Sequence, residues 1–157
     1  MKKTLKKGFG FGITSGIITT LGVIIGLYST TKSSTIIIAG IISVAIADSF
    51  SDGFGIHVAE ETVGSASRKV WELTGYTFLF ELIFALTFII PFLIFEVGVS
   101  VIICIIYSIF LLSLYSYAIS IANKRKPLPA IIEHFLLTIV VVIITYFVGD
   151  MVRLIVR

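Results

Sequence analysis

The chain has 157 residues, of which 57% are hydrophobic and only 13% are charged, and its mean hydropathy is +1.12. This composition excludes an ordinary soluble domain and indicates one integral membrane domain, residues 1–157, whose main partner is the lipid bilayer. A single cysteine excludes an intrachain disulfide and a cysteine-cluster metal site, and the net charge of +3 does not indicate nucleic acid, because the basic residues flank apolar runs.

Five apolar runs are each long enough to cross the bilayer as a helix, which takes about 20 apolar residues. They lack the period-two alternation of membrane strands, so the sequence predicts an all-α fold rather than a barrel. The predicted spans are approximately residues 8–28, 35–56, 75–95, 97–122 and 130–155. Pro91 is expected to kink or end the third span, and residues 124–129, KRKPLP, are expected to separate the fourth span from the fifth.

The first span carries glycines at every fourth position. Gly8, Gly12 and Gly16 lie on one helical face, and Gly22 and Gly26 repeat the spacing. A face without side chains lets another helix approach closely, so the pattern predicts a packing surface. We expect this surface to join the two copies of a homodimer, because five spans enclose little space by themselves.

The second span ends in an unusually acidic stretch, ADSFSDGFGIHVAEE, residues 47–61. Asp48 and Asp52 are one helical turn apart and therefore share a face. Two ionised carboxylates this close repel one another, and a divalent cation or a proton relieves the repulsion. An ionised aspartate inside a membrane costs about 2.5 to 3.5 kcal/mol, so the pair indicates a metal site coupled to protons. The alternative is a solvated pair at the interface that only ends the helix.

Three further candidate ligands follow the two aspartates: His57, Glu60 and Glu61. Imidazole and carboxylate groups suit iron, manganese and zinc. These residues are predicted to lie beyond the span, in the connection 57–74, where the alternative is an ordinary solvated loop. Glu81 in the third span is a candidate residue of the same pathway, and its alternative is a pair with a partner such as His134.

The distribution of basic residues predicts the orientation, because positive charge stays on the cytoplasmic side. A cytoplasmic N-terminus places nine basic residues inside: Lys2, Lys3, Lys6, Lys7, Arg68, Lys69, Lys124, Arg125 and Lys126. It leaves only Lys32, Arg153 and Arg157 outside. We therefore expect a multi-pass protein of the cell membrane with its N-terminus in the cytoplasm and its C-terminus outside.

Several segments, taken in order, resemble a known family. They are GITSGIITTLGVIIGL in the first span, AGIISVAIADSFSDGFGIHVAEE in the second, a proline late in the third, and TYFVG near the end. Together they resemble the vacuolar iron transporter family of divalent metal exporters across all five spans. The resemblance implies a homodimer whose first and second helices line a path for iron(II) or manganese(II), which leaves the cytoplasm in exchange for protons. It also implies that the family's second-helix carboxylate falls on Asp48.

The chain departs from the family pattern at two positions along this path. The aspartate expected in the first helix is replaced by Ser15, which precedes Gly16, and the second-helix methionine falls near Ile56. Asp52 is expected to supply the missing carboxylate. Ser15 thereby becomes a candidate residue of the pathway.

We therefore expect a transporter whose substrate is iron(II) or manganese(II), and no bound cofactor. The alternative is a non-transporting membrane scaffold or regulatory protein related to such transporters, in which the acids lie at the interface or pair with a partner. An enzyme is not expected, because the sequence lacks a catalytic constellation such as His-Glu-x-x-His.

Overall fold

The computed structural model describes residues 3–156, so Lys2 and Arg157, which enter the count of basic residues, lie outside it. Within this range the chain is helical and contains no strand, which confirms the predicted fold class. The helices are α1 (Lys3–Thr31), α2 (Ser34–Thr62), α3 (Ser67–Thr87), α4 (Ile89–Ile94), α5 (Val97–Ala122) and α6 (Pro127–Ile155). Helices suit these apolar runs because lipid offers no hydrogen bonds to the backbone.

Five segments of residues 3–156 are long and apolar enough to cross a membrane, and α3 with α4 forms one of them. The chain is therefore a multi-pass membrane protein. Because α1, α3 and α6 begin at the same end of the bundle, that end collects most of the described basic residues. This basic end carries Lys3, Lys6, Lys7, Arg68, Lys69, Lys124, Arg125 and Lys126. That it faces the cytoplasm stays a prediction.

The third span is interrupted near its far end. α3 ends at Thr87, and α4 begins two residues later. Pro91 lies four residues after Thr87, and a proline ring crowds the carbonyl group four residues earlier while removing one helical hydrogen bond. The interruption expected from Pro91 therefore occurs one turn before it.

α2 is longer than the sequence analysis expected. It continues to Thr62 rather than ending near residue 56, because residues 57–63 contain no glycine or proline, and Gly64, whose φ of +70° favours glycine, follows them. The connection expected over residues 57–74 therefore shrinks to residues 63–66. His57, Glu60 and Glu61 lie on a helix and not in a loop.

α6 begins earlier than expected, at Pro127, inside the break predicted over residues 124–129. The first N–H groups of a helix have no partner within it, so proline is tolerated in the first turn. Near the other end of α6, Arg153 and Asp150 form an ion pair one turn apart, as their spacing predicts.

α1 is the central helix and contacts α2, α3, α5 and α6. Its residues Ile17, Leu21 and Ile24 are fully buried, and they belong to a core that includes Phe88 and Leu112. α6 lies at the periphery, where most of its side chains are exposed. Those exposed apolar side chains face the lipid in a membrane.

The glycine face of α1 packs inside the chain. A Cβ atom at Gly8 would lie 2.6 Å from the Cβ atom of Tyr76 on α3, and one at Gly22 would meet Thr145 of α6 at 3.4 Å. The expectation that these glycines join two copies of a homodimer is therefore wrong. The chain's own α3 and α6 already occupy that face.

Candidate metal site

Three carboxylates meet where α1, α2 and α3 pack together. Asp48 and Asp52 come from α2, and Glu81 comes from α3. One oxygen of each carboxylate lies within 4.8 Å of the other two. An ion at the centre of such a triangle is at most about 2.8 Å from each oxygen, close to the distances at which oxygen ligands bind divalent cations. We call these three residues the carboxylate cluster.

The cluster depends on one close contact between helices. A Cβ atom at Gly12 would lie 2.8 Å from the backbone nitrogen of Glu81, and one at Gly16 would lie 2.8 Å from its carbonyl oxygen. Real side chains do not fit at such distances, so α1 rests directly on the backbone of α3. This contact sets the depth at which Glu81 faces α2, where helical spacing has already placed Asp48 and Asp52 on one face.

Ser15 touches the cluster from α1. Its hydroxyl donates a hydrogen bond of 2.5 Å to Oδ2 of Asp52. Ser15 stands where the resemblance implies an aspartate, and Asp52 is the residue expected to supply the missing carboxylate. These two residues are therefore in contact. A hydroxyl offers a neutral oxygen, so the chain keeps an oxygen donor here while it loses one negative charge.

The three acids have no basic partner among the described residues. Glu81 is 0% exposed, and both of its carboxylate oxygens, together with Oδ2 of Asp48, are buried without a hydrogen-bond partner among the described residues. No ion pair within residues 3–156 includes a member of the cluster. Glu81 is buried and the two aspartates are partly buried, so a cation or protons would relieve the repulsion among these three acids, which is costly away from water.

Two buried hydroxyls flank the cluster along the helix axes. Thr77 lies one turn before Glu81 on α3, and Thr20 lies one turn after Gly16 on α1. Both are 0% exposed, and the Oγ1 atom of each lacks a partner among the described residues. Since α1 and α3 run in the same direction, Thr77 lies on the side of the basic end and Thr20 on the opposite side. One buried hydroxyl therefore lies about one helical turn from the cluster on each side.

The sequence analysis did not identify Thr77. Its spacing of four residues from Glu81 was the available signal, because that spacing places both side chains on one face of α3. The alternative pair of Glu81 with His134 is wrong. His134 Nδ1 lies 2.9 Å from Ser116 Oγ and 2.8 Å from the Ala130 carbonyl oxygen, away from the cluster.

His57 and Glu61 lie on α2 beyond the cluster, toward the basic end. His57 Nδ1 is 3.1 Å from the Thr74 hydroxyl, and its Nε2 atom is 3.4 Å from Oε1 of Glu61. The imidazole also packs against the ring of Trp71, with 4.5 Å between centroids. These two candidate ligands contact each other, but the structure does not bring them to the carboxylate cluster.

Glu60 is also separate from the cluster, and it is held by cations of the protein itself. It is 5% exposed, and its carboxylate accepts hydrogen bonds from Lys7, from Lys69 at 2.9 Å and from Ser65 at 2.7 Å. Glu60 therefore has a full set of partners. In this arrangement it offers no free oxygen to a metal ion.

The donor atoms of the cluster indicate which cations suit it. Three carboxylates and the Ser15 hydroxyl form an oxygen-only set, which suits manganese(II), magnesium and calcium and does not suit copper(I), which prefers sulfur ligands. The family's methionine position falls near Ile56, an apolar residue, so no thioether joins the set. The ligand set of the cluster is therefore harder, in the sense of hard and soft ligands, than a set that includes the methionine implied by the resemblance.

No protein-family model and no curated protein matches the chain. The likeness to the vacuolar iron transporter family therefore stays a resemblance between sequence segments. The functional proposal below depends on the carboxylate cluster and its surroundings.

Proposed function

We propose that the chain is a membrane transporter that exports manganese(II) or iron(II) from the cytoplasm across the cell membrane in exchange for protons. The observation that carries this proposal is the carboxylate cluster, in which acids from two membrane-spanning segments meet without a basic partner among the described residues. An ionisable residue inside a membrane span is costly, and it is typically retained for an ion pathway.

The surroundings of the cluster favour passage over permanent binding. Thr77 and Thr20 place buried hydroxyls on either side of the acids, along the direction that an ion travels. A hydroxyl can replace part of an ion's hydration shell without holding the ion as strongly as a carboxylate. Transport requires this combination, because an ion must bind well enough to arrive and weakly enough to leave.

Charge balance gives the coupling to protons. Three ionised carboxylates carry three negative charges, of which one divalent cation neutralises two. In the absence of the cation, two protons on the same oxygens neutralise the same amount. Cation and protons therefore compete for one set of oxygens, and exchange of about two protons for each metal ion keeps the charge of the cluster constant.

A homodimer is part of the proposal, and its contact face differs from the glycine face of α1. The outward side of α1 forms a groove of about 400 Å³, lined by Gly10, Phe11, Thr14, Ser15, Ile18 and Thr19. The groove reaches Ser15, whose hydroxyl contacts the cluster. A second copy on this face would enclose the polar side of α1 and α2 away from lipid.

Metal flux into proteoliposomes that contain a manganese-sensitive dye tests the proposal. Asp48→Asn and Glu81→Gln keep the shape of each side chain and remove its charge, so each variant should lose most of the flux. Asp150→Asn is the matched control, because it makes the same chemical change to a partly exposed, ion-paired aspartate near the far end of α6. Full flux in both cluster variants would overturn the proposal, and metal binding without any flux would favour the non-transporting alternative.

A further inference from the structure

Glu60 connects the three helices that form the carboxylate cluster. It lies on α2, and its carboxylate accepts hydrogen bonds from Lys7 of α1 and from Lys69 of α3. Ser65, in the short connection between α2 and α3, donates to the same oxygen as Lys69. We call Lys7, Glu60, Ser65 and Lys69 the Glu60 network.

The Glu60 network lies between the carboxylate cluster and the basic end of the bundle. Glu60 follows Asp52 by eight residues, and Lys7 precedes Ser15 by eight residues, so both ties are about 12 Å from the cluster along their helices. Lys69 precedes Glu81 on the third helix in the same direction. The same three helices thus meet twice, first at the network and then at the cluster.

α1 and α3 pack closely between the Glu60 network and the carboxylate cluster. Gly12 of α1 lies against Thr77 of α3, and an added Cβ atom there would be 2.8 Å from the Thr77 carbonyl oxygen. Thr77 itself is 0% exposed. α1 and α3 are therefore packed directly against each other between the basic end and the cluster, and an ion cannot pass between these two helices unless they separate.

We propose that the Glu60 network is the gate that closes the cluster to the basic end of the protein. Because the gate regulates the same cluster, it rests on the transport function proposed above. Two ammonium groups occupy the oxygens of Glu60 and leave the network with one net positive charge, which repels an approaching divalent cation. A cation reaches the cluster when α1 moves away from α2 and α3 at this end.

The ion pair between Lys7 and Glu60 is the interaction that breaks when the gate opens. Its side chain is 56% exposed, so its ammonium group can exchange Glu60 for water. Glu60 is nearly buried, and after Lys7 leaves it keeps Lys69 and Ser65 as partners. Thr4 also joins the start of α1 to α3, through a contact of 3.3 Å with Glu72, and this contact must open with the gate.

A cysteine placed between the Glu60 network and the carboxylate cluster measures the gate directly. Thr77→Cys should react slowly with a membrane-impermeant quaternary-ammonium methanethiosulfonate reagent in sealed vesicles that expose the basic end. Cys104 is fully buried, and the chain without Thr77→Cys gives its background reaction. Adding Lys7→Gln or Glu60→Gln should raise the reaction rate by about tenfold, since a charge-assisted hydrogen bond biases an opening equilibrium by at least that factor.

Lys6→Gln is the matched control, because Lys6 is an exposed neighbour of Lys7 outside the network, and it should leave the rate within about twofold. Simple attraction of the cationic reagent would shift the rate in opposite directions in Lys7→Gln and Glu60→Gln, whereas an opened gate raises it in both. If Glu60→Gln fails to fold, the comparison of Lys7→Gln with Lys6→Gln decides, because both remove one lysine charge at the same end and only Lys7 belongs to the network. Equal rates in wild-type and Lys7→Gln backgrounds would overturn the gate.

This thiol reaction does not depend on metal transport, so the two proposals can fail separately. A faster reaction together with absent metal flux in the wild-type chain would support the gate as a structural opening and contradict the transport function. Metal flux together with an unchanged reaction rate would contradict the gate and leave the transport function intact.

Discussion

The contact between α1 and α3 at Gly16 supports the carboxylate cluster, and Gly16→Ala should disrupt it. The added Cβ atom would lie 2.8 Å from the Glu81 carbonyl oxygen and 3.2 Å from its Cα atom, where ordinary contact begins at 3.4 Å. Both atoms belong to the backbone and cannot rotate away. The two helices must therefore separate by about 0.6 Å, the difference between 2.8 Å and 3.4 Å.

Overpacking of this kind costs about 1 to 3 kcal/mol. For a chain of this size, each kcal/mol lowers the melting temperature by about 2 to 4 °C. Gly16→Ala should therefore melt several degrees below the wild type, measured as the temperature at which half of the detergent-solubilised protein leaves the monodisperse peak in size-exclusion chromatography. It should also weaken manganese(II) binding, because the shift at Gly16 moves Ser15 away from Asp52.

Gly26→Ala is the matched control on the same helix. Among the described residues, its Cβ atom would meet only the Thr145 carbonyl oxygen, at 3.7 Å, which is an ordinary contact. Because both changes replace glycine by alanine in α1, any gain in helix propensity is shared. A Gly16→Ala protein as stable as Gly26→Ala would refute the close contact and the cluster geometry that depends on it.

Three further predictions concern the ligands and the orientation. Manganese(II) at 100 times its dissociation constant should stabilise the wild type by about 2.7 kcal/mol in thermal melts, and equal stabilisation of Glu81→Gln would contradict its role as a ligand. Ser15→Asp adds a carboxylate beside Asp52 and should tighten manganese(II) binding about tenfold in calorimetry, by about 1.4 kcal/mol, so weaker binding would count against a pathway at Ser15. Lys126→Cys should be labelled from the cytoplasmic side and Lys32→Cys from outside, and the reverse pattern would invert the orientation.

The membrane fold could be predicted from the sequence because its cause is local. Each span is a run of apolar residues, and lipid forces such a run into a helix whatever its neighbours are. The ends of the helices were harder to predict. α2 extends to Thr62 because residues 57–63 contain no glycine or proline, whereas hydropathy alone marks only the limit of the apolar core.

The cluster could be predicted only in part. Asp48 and Asp52 share a face because of their spacing on one helix, so the sequence suffices to pair them. Glu81 joins them through the rotation and depth of α3, which depend on how Gly12 and Gly16 rest on its backbone. Such contacts between distant segments leave no periodic signal in a single chain.

The partners of Glu60 could not be predicted for the same reason, because they lie on distant segments of the chain. As a residue near the end of a span it was expected to be a solvated acid or a ligand, and the sequence gives no sign that Lys7 and Lys69 approach it from two other helices. The network therefore became visible only when the helices were packed together.

Coupled flux of metal and protons tests the central claim most directly. Wild-type protein in proteoliposomes with an acidic interior should import manganese(II) faster than in vesicles without a pH gradient. A pH-sensitive dye inside should report about two protons leaving for each manganese(II) ion that enters, as the charge balance of the cluster requires. Manganese(II) flux that ignores the gradient and moves no protons would contradict the exchange mechanism, and absence of flux under every gradient would contradict transport itself.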